Sequence, residues 1–224
     1  MAAARAKAKK SEAATKTDKN QPGTGRIEAF SDGVFAIAIT IMVLDVRFPE
    51  RIAEWAASPA ILLPLLPKFV SYVMSFIVIG IMWVNHHQIM PTAPLATRHL
   101  MWWNNNLLFW TSLIPLVTRF LGDHPLLPLA VALYGLVLGA NLLSFAALRL
   151  HILRMTDTGA ALDAHHGRIL RRNLFGAALY GASVPLAFVS VYISMVIFAA
   201  VPTMFFLPEP LPKQLPETPD EKRP

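Results

Sequence analysis

The chain has 224 residues, of which 54% are hydrophobic and 15% charged, with 20 Lys and Arg against 14 Asp and Glu for a formal net charge of +6. A soluble domain carries about a quarter of its residues as charges, so this composition excludes an ordinary water-soluble globule and points to a membrane. With no cysteine, the chain can form no disulfide, no thiolate metal site and no cysteine nucleophile.

Residues 1–25 are rich in Ala, Lys, Thr and Gly, with Arg5, Lys7, Lys9, Lys10, Lys16 and Lys19, and lack apolar periodicity. A disordered basic tail is expected there. It precedes the first apolar run and has no small-residue cleavage site after it, so no signal peptide is expected. Six apolar runs follow, near 27–47, 62–88, 101–121, 126–150, 170–188 and 191–207, each close to the ~20 residues that cross a bilayer. The fold class expected is therefore all-α, a polytopic membrane protein with six transmembrane helices in a domain spanning 26–207. Among the prolines, Pro64, Pro67, Pro115 and Pro185 are candidate kinks. Residues 208–224 alternate proline with charge and read as an extended, solvated tail.

Lys and Arg favour the cytoplasmic side. The N-terminal tail, the loop with Arg98 and the loop with Arg154, Arg168, Arg171 and Arg172 share one side of a six-helix arrangement. On the opposite side Arg47 and Arg51 are offset by Asp45, Glu50 and Glu54, and Arg119 stands near Asp123. Both termini are thus expected in the cytoplasm. The positive charge reads as a topology signal, and no nucleic-acid partner is expected.

The first run is unusual. Its uncharged part, Gly33 to Leu44, is bracketed by Asp32 and Asp45 and, at about 1.5 Å per residue, falls short of the roughly 30 Å hydrocarbon core. Such a helix belongs in the protein interior or beside water. At the depth of Asp32 the second helix brings Trp83, Asn85, His86 and His87, and the third brings Trp102, Trp103, Asn104, Asn105 and Asn106. Ser31 and Asp32 can accept from an imidazole or carboxamide there, and Arg26 can close the network. Two readings stand: groups that satisfy each other and lock the bundle, or a proton relay or metal site. Adjacent histidines point about 100° apart and cannot easily share one ion, and no HExxH spacing exists.

On another face of the same helix Ile37, Ile41 and Leu44 recur at steps of four and three, with Gly33 and Thr40 beside them. Such a stripe packs helices, or, around an axis shared by several subunits, makes a dewettable constriction. No Thr-Val-Gly-Tyr-Gly run exists to build a carbonyl-lined filter.

The run Arg26-x-x-x-Phe30-Ser31-Asp32, continuing Gly33-Val34-Phe35-Ala36-Ile37-Ala38-Ile39-Thr40, resembles the first-helix signature of the transmembrane protein 175 family of potassium channels. The likeness extends to Ser75-Phe76-x-Val78-Ile79-Gly80-Ile81-x-Trp83-x-Asn85-His86-His87, to Trp102-x-Asn104 with Pro115, and to Ser183-Val184-Pro185-Leu186-Ala187-Phe188. It suggests the short bacterial type. The resemblance implies a homotetramer in the bacterial plasma membrane whose first helices surround a pore, with potassium as the permeant ion and no cofactor. It places the constriction on Ile37, continued by Ile41 and Leu44, with Thr40 as the adjacent polar position. It also implies a structural network of Arg26, Phe30, Ser31, Asp32, His86 and Asn104, with Asn105 and Asn106 as alternative carboxamides. The competing function is a proton-coupled transporter using Asp32 and His86. An intramembrane enzyme is disfavoured because Ser31 has no base placed by a hydrolase motif.

Overall fold

A computed structural model describes residues 23–46, 63–156 and 160–206, without the side chains of 160–166 and 206. Both tails beyond these limits, and Arg47, Glu50, Arg51 and Glu54 of the first connection, lie outside the described residues.

Among the described residues six α-helices follow one another: α1 (Gly25–Met42), α2 (Leu66–Ile89), α3 (Arg98–Asp123), α4 (Pro128–Met155), α5 (Ala160–Val189) and α6 (Val191–Phe206). The described residues contain no strand. The fold is that of an all-α polytopic membrane protein. By length and composition α1, α2 and α4 each suffice to cross a membrane, and α6 is apolar but shorter.

Local chemistry explains the helix ends, and in places moves them from where hydropathy alone put them. Pro64 lies in a short 3-10 segment over 63–65 and Pro67 in the first turn of α2. Neither is a kink, because the first turn has no partner for the amide that proline lacks. Pro115, Pro185 and Pro202 lie inside helices. The Thr97 side chain caps α3 by accepting from the Leu100 amide at 3.1 Å. Helix α1 tightens after Met42 into a 3-10 turn, Val43–Asp45, short of the expected end at 47. Helix α5 begins at Ala160 instead of near 170, because Asp163, His165, His166 and Arg168 interrupt its first turns and a search for apolar runs passes over them. Only Ser190 separates α5 from α6, and the Ser194 hydroxyl donates to the Ser183 carbonyl at 2.8 Å to close that hairpin.

Helix α4 is the core of the described helices. Its most apolar stretch is 72% buried, against 22% for that of α1 and 28% for α2. Small residues allow the close approach: a Cβ on Gly139 would stand 3.3 Å from the Tyr180 Cβ, and one on Gly176 2.9 Å from a Leu142 methyl. Polar side chains bridge the neighbouring interfaces. Ser75 of α2 bonds Thr118 at 2.6 Å and Tyr134 at 2.9 Å, and Asn141 donates to Thr111 at 2.8 Å. Helix α1 rests at the edge of this body, against α2 and α3.

Candidate functional site on the first helix

Helix α1 has two faces. One buries Ile27, Ser31, Phe35, Ala38 and Met42, at steps of four, four, three and four, the period of a helix packed on its neighbours. The other leaves Phe30, Ile37, Ile41 and Leu44 exposed, at 60%, 64%, 49% and 66%.

The buried face carries a directional chain of hydrogen bonds. Asn104 of α3 donates through Nδ2 to the Ser31 hydroxyl at 2.9 Å, and the Ser31 hydroxyl in turn donates to the Ile27 carbonyl at 2.7 Å. The Asn104 carbonyl oxygen can only accept, so its contact with His86 Nε2 at 2.8 Å requires the proton on that nitrogen. Ser31, His86 and Asn104 are each at most 1% exposed. The Phe35 ring, 5.5 Å from the His86 ring, covers the imidazole. Three helices are thus joined where bonds have no competition from water.

The six signature residues do not form a single cluster. Asp32 does not join the Ser31 chain; its carboxylate accepts from the Trp83 indole at 2.9 Å on the exposed side. Trp83 in turn stacks with His87, ring centroids 5.9 Å apart. Arg26 and Phe30 are exposed and line an open cleft with Met101 and Asn105. Of the three asparagines, Asn104 takes the Ser31 position. Asn106, two residues on and so about 200° round the helix, donates to Ser144 of α4 at 2.8 Å, and Asn105 is exposed. His86 and His87 diverge, one buried and one exposed. A proton exchange between Asp32 and His86 lacks a direct path, because the two belong to separate branches. Among the described residues no group of three or more His, Asp or Glu could hold a metal ion.

On the open face Thr40 lies exposed beside the stripe. Its hydroxyl contacts the carbonyls of Ala36 at 2.8 Å and Ile37 at 3.2 Å, so its proton is committed to the helix and its oxygen lone pairs remain to face outward. Gly33 has open space around it. The far end of α1 bears Asp45, 3.6 Å from Arg119 of α3.

Two features escape a sequence reading. Trp83 as the partner of Asp32 is signalled only by lying three residues before His86. The α2–α3–α4 polar rungs are signalled only by Ser75, Thr111, Thr118 and Asn141 inside apolar runs.

Residues 26–115 match the family model described as endosomal/lysosomal potassium channel TMEM175. A potassium channel of a Chryseobacterium species is 35% identical over 186 residues, 83% of this chain and 93% of the relative. One from Streptomyces collinus is 40% identical over 179 residues, 75% of this chain and 84% of the relative. The crystal structure of a lysosomal potassium-selective channel TMEM175 homolog from Chamaesiphon minutus is similar with a TM-score of 0.71 and 35% identity, covering 82% of this chain and 96% of that one.

Proposed function

The chain belongs to the TMEM175 family, and from that premise we propose that it is a potassium-selective cation channel in which the exposed stripe of α1 lines the pore. Four copies surround a central axis, and Ile37 forms the narrowest ring, with Ile41 and Leu44 continuing it outward. The channel performs no chemistry. The domain over 26–207 conducts, the two tails lie in the cytoplasm, and the protein resides in the bacterial plasma membrane.

One observation carries this reading: the polar anchors of α1 are satisfied inside the subunit while Ile37, Ile41 and Leu44 stand bare. Bare apolar residues on a membrane helix can face lipid, but Asp32, a carboxylate that is not buried within the fold, is a poor lipid neighbour. A narrow passage between copies of α1 accommodates it. There a ring of branched side chains controls wetting, and the Thr40 oxygens offer cation ligands directly behind it. Selectivity then comes from bore and hydroxyl oxygens, since the chain has no Thr-Val-Gly-Tyr-Gly segment.

Single-channel recording of the purified protein in planar bilayers, with potassium against sodium, tests the proposal. Unitary steps with a reversal potential displaced toward potassium are expected. Ile37→Asn should wet the constriction and raise the current severalfold, with four copies per particle by native mass spectrometry. Silence of both proteins as intact tetramers would overturn the proposal.

A further inference from the structure

At the end of α1 opposite the Ser31 chain, four charges of alternating sign run across three helices. Asp45 follows Leu44 directly and continues the buried series through Ala38 and Met42, so it turns toward α3. Arg119 of α3 lies 3.6 Å from Asp45 and 3.8 Å from Asp123. Asp123 is also bonded to Lys68 of α2 at 2.7 Å. The set sums to zero.

Three of these charges oppose the helix that bears them. Asp45 follows the C-terminal end of α1, Asp123 is the last residue of α3, and Lys68 stands in the first turn of α2. An anion at a C-terminus and a cation at an N-terminus each work against the helix dipole. Helix stability therefore does not account for them, whereas mutual pairing does. The backbones are brought together for it: a Cβ on Gly122 would stand 2.8 Å from the Ser71 hydroxyl and 3.0 Å from the Lys68 Cα.

Resting on the pore reading above, we propose that Arg119 is a conduction-determining residue: it draws the Asp45 carboxylate back from the mouth of the pore and cancels its charge there. Four such carboxylates would otherwise ring the entrance one residue beyond Leu44. Arg119 keeps the entrance close to neutral and ties the outer end of α1 to α3. Because the Arg119 side chain is 60% exposed, the interaction responds to ionic strength, over a Debye length of about 30 Å at 0.01 M and about 3 Å at 1 M salt.

The test compares single-channel conductance at low and high potassium chloride for wild type, Arg119→Gln, Asp45→Asn and the double variant, with Ile37→Asn recorded alongside. At low salt Arg119→Gln should raise cation conductance about two-fold by unmasking the carboxylates, and Asp45→Asn should lower it by leaving Arg119 in excess. The double variant should return close to wild type, and all the curves should converge at 1 M. A folding defect cannot produce opposite signs in the two single variants. Currents that respond to Ile37→Asn but give superimposable curves for the charge variants would overturn this proposal and leave the pore reading standing. Silence of every protein, Ile37→Asn included, would overturn the pore reading and this proposal with it.

Discussion

The two faces of α1 have nearly the same supply of apolar side chains and opposite surroundings. On one, Phe35, Ala38 and Met42 are at most 4% exposed and Ser31 is completely buried. On the other, Ile37 and Leu44 are about two-thirds exposed. Polarity separates them in an unexpected direction. The face holding the buried hydroxyl is the one complete within the chain, because Asn104 and His86 satisfy it; the face with the aliphatic stripe, and Thr40 beside it, is the one left over. In a membrane apolar surface has no need to hide from lipid, so buried hydrogen bonds and close packing, and not hydrophobicity, decide which side of a helix turns inward.

That comparison is broken most severely at Asn104. Asn104→Leu removes two interhelical bonds at once: it strands the His86 Nε2 proton in a buried interior and takes from the Ser31 oxygen its Asn104 donor, while the Ser31 hydroxyl keeps its bond to the Ile27 carbonyl. A loss of about 1–3 kcal/mol is expected, read as a lower midpoint of unfolding in detergent and a smaller tetramer fraction on size exclusion. Next is Ser31→Ala, which strands only one Asn104 donor and should cost about 1 kcal/mol. Ile37→Asn, on the opposite face, should leave the midpoint of the isolated subunit unchanged within about 0.5 kcal/mol while altering current. A midpoint that fell as far for Ile37→Asn as for Asn104→Leu would show that the two faces are not separate.

Much of this arrangement is legible in the sequence, and the physical reason for each exception is specific. Six helices follow from run length, since bilayer thickness sets a narrow window. The start of α5 does not, because Asp163, His165, His166 and Arg168 break up its first turns and leave no apolar run there. The stripe Ile37, Ile41 and Leu44 follows from the helical period, but which side of α1 packs inward does not, because both sides are apolar and only the partners on α2 and α3 distinguish them. For the same reason Asn104 and Asn106 are equal as residues and distinct once α3 is rotated, one toward α1 and the other toward α4. Asp32 and Ser31 are adjacent in the chain, so composition groups them, yet about 100° of helix rotation sends them to different partners.

This divergence of Ser31 and Asp32 supplies the smallest loss expected from breaking one of these hydrogen bonds. Trp83→Phe removes the indole proton from Asp32 but keeps an aromatic ring beside His87. Trp83 is 40% exposed and its bond to Asp32 lies on the open side, where water or a neighbouring group can replace the lost donor. An effect under about 1 kcal/mol follows, well below that of Asn104→Leu. Combined with Ser31→Ala, it should add to that variant's cost within about 0.5 kcal/mol, because the two bonds share no partner. Thermal unfolding of the two single variants and the double variant closes the cycle. A coupling above about 1 kcal/mol would mean that the Asp32 branch and the Ser31 chain act as one network, and that the signature residues are a single device instead of two fastened to different sides of one helix.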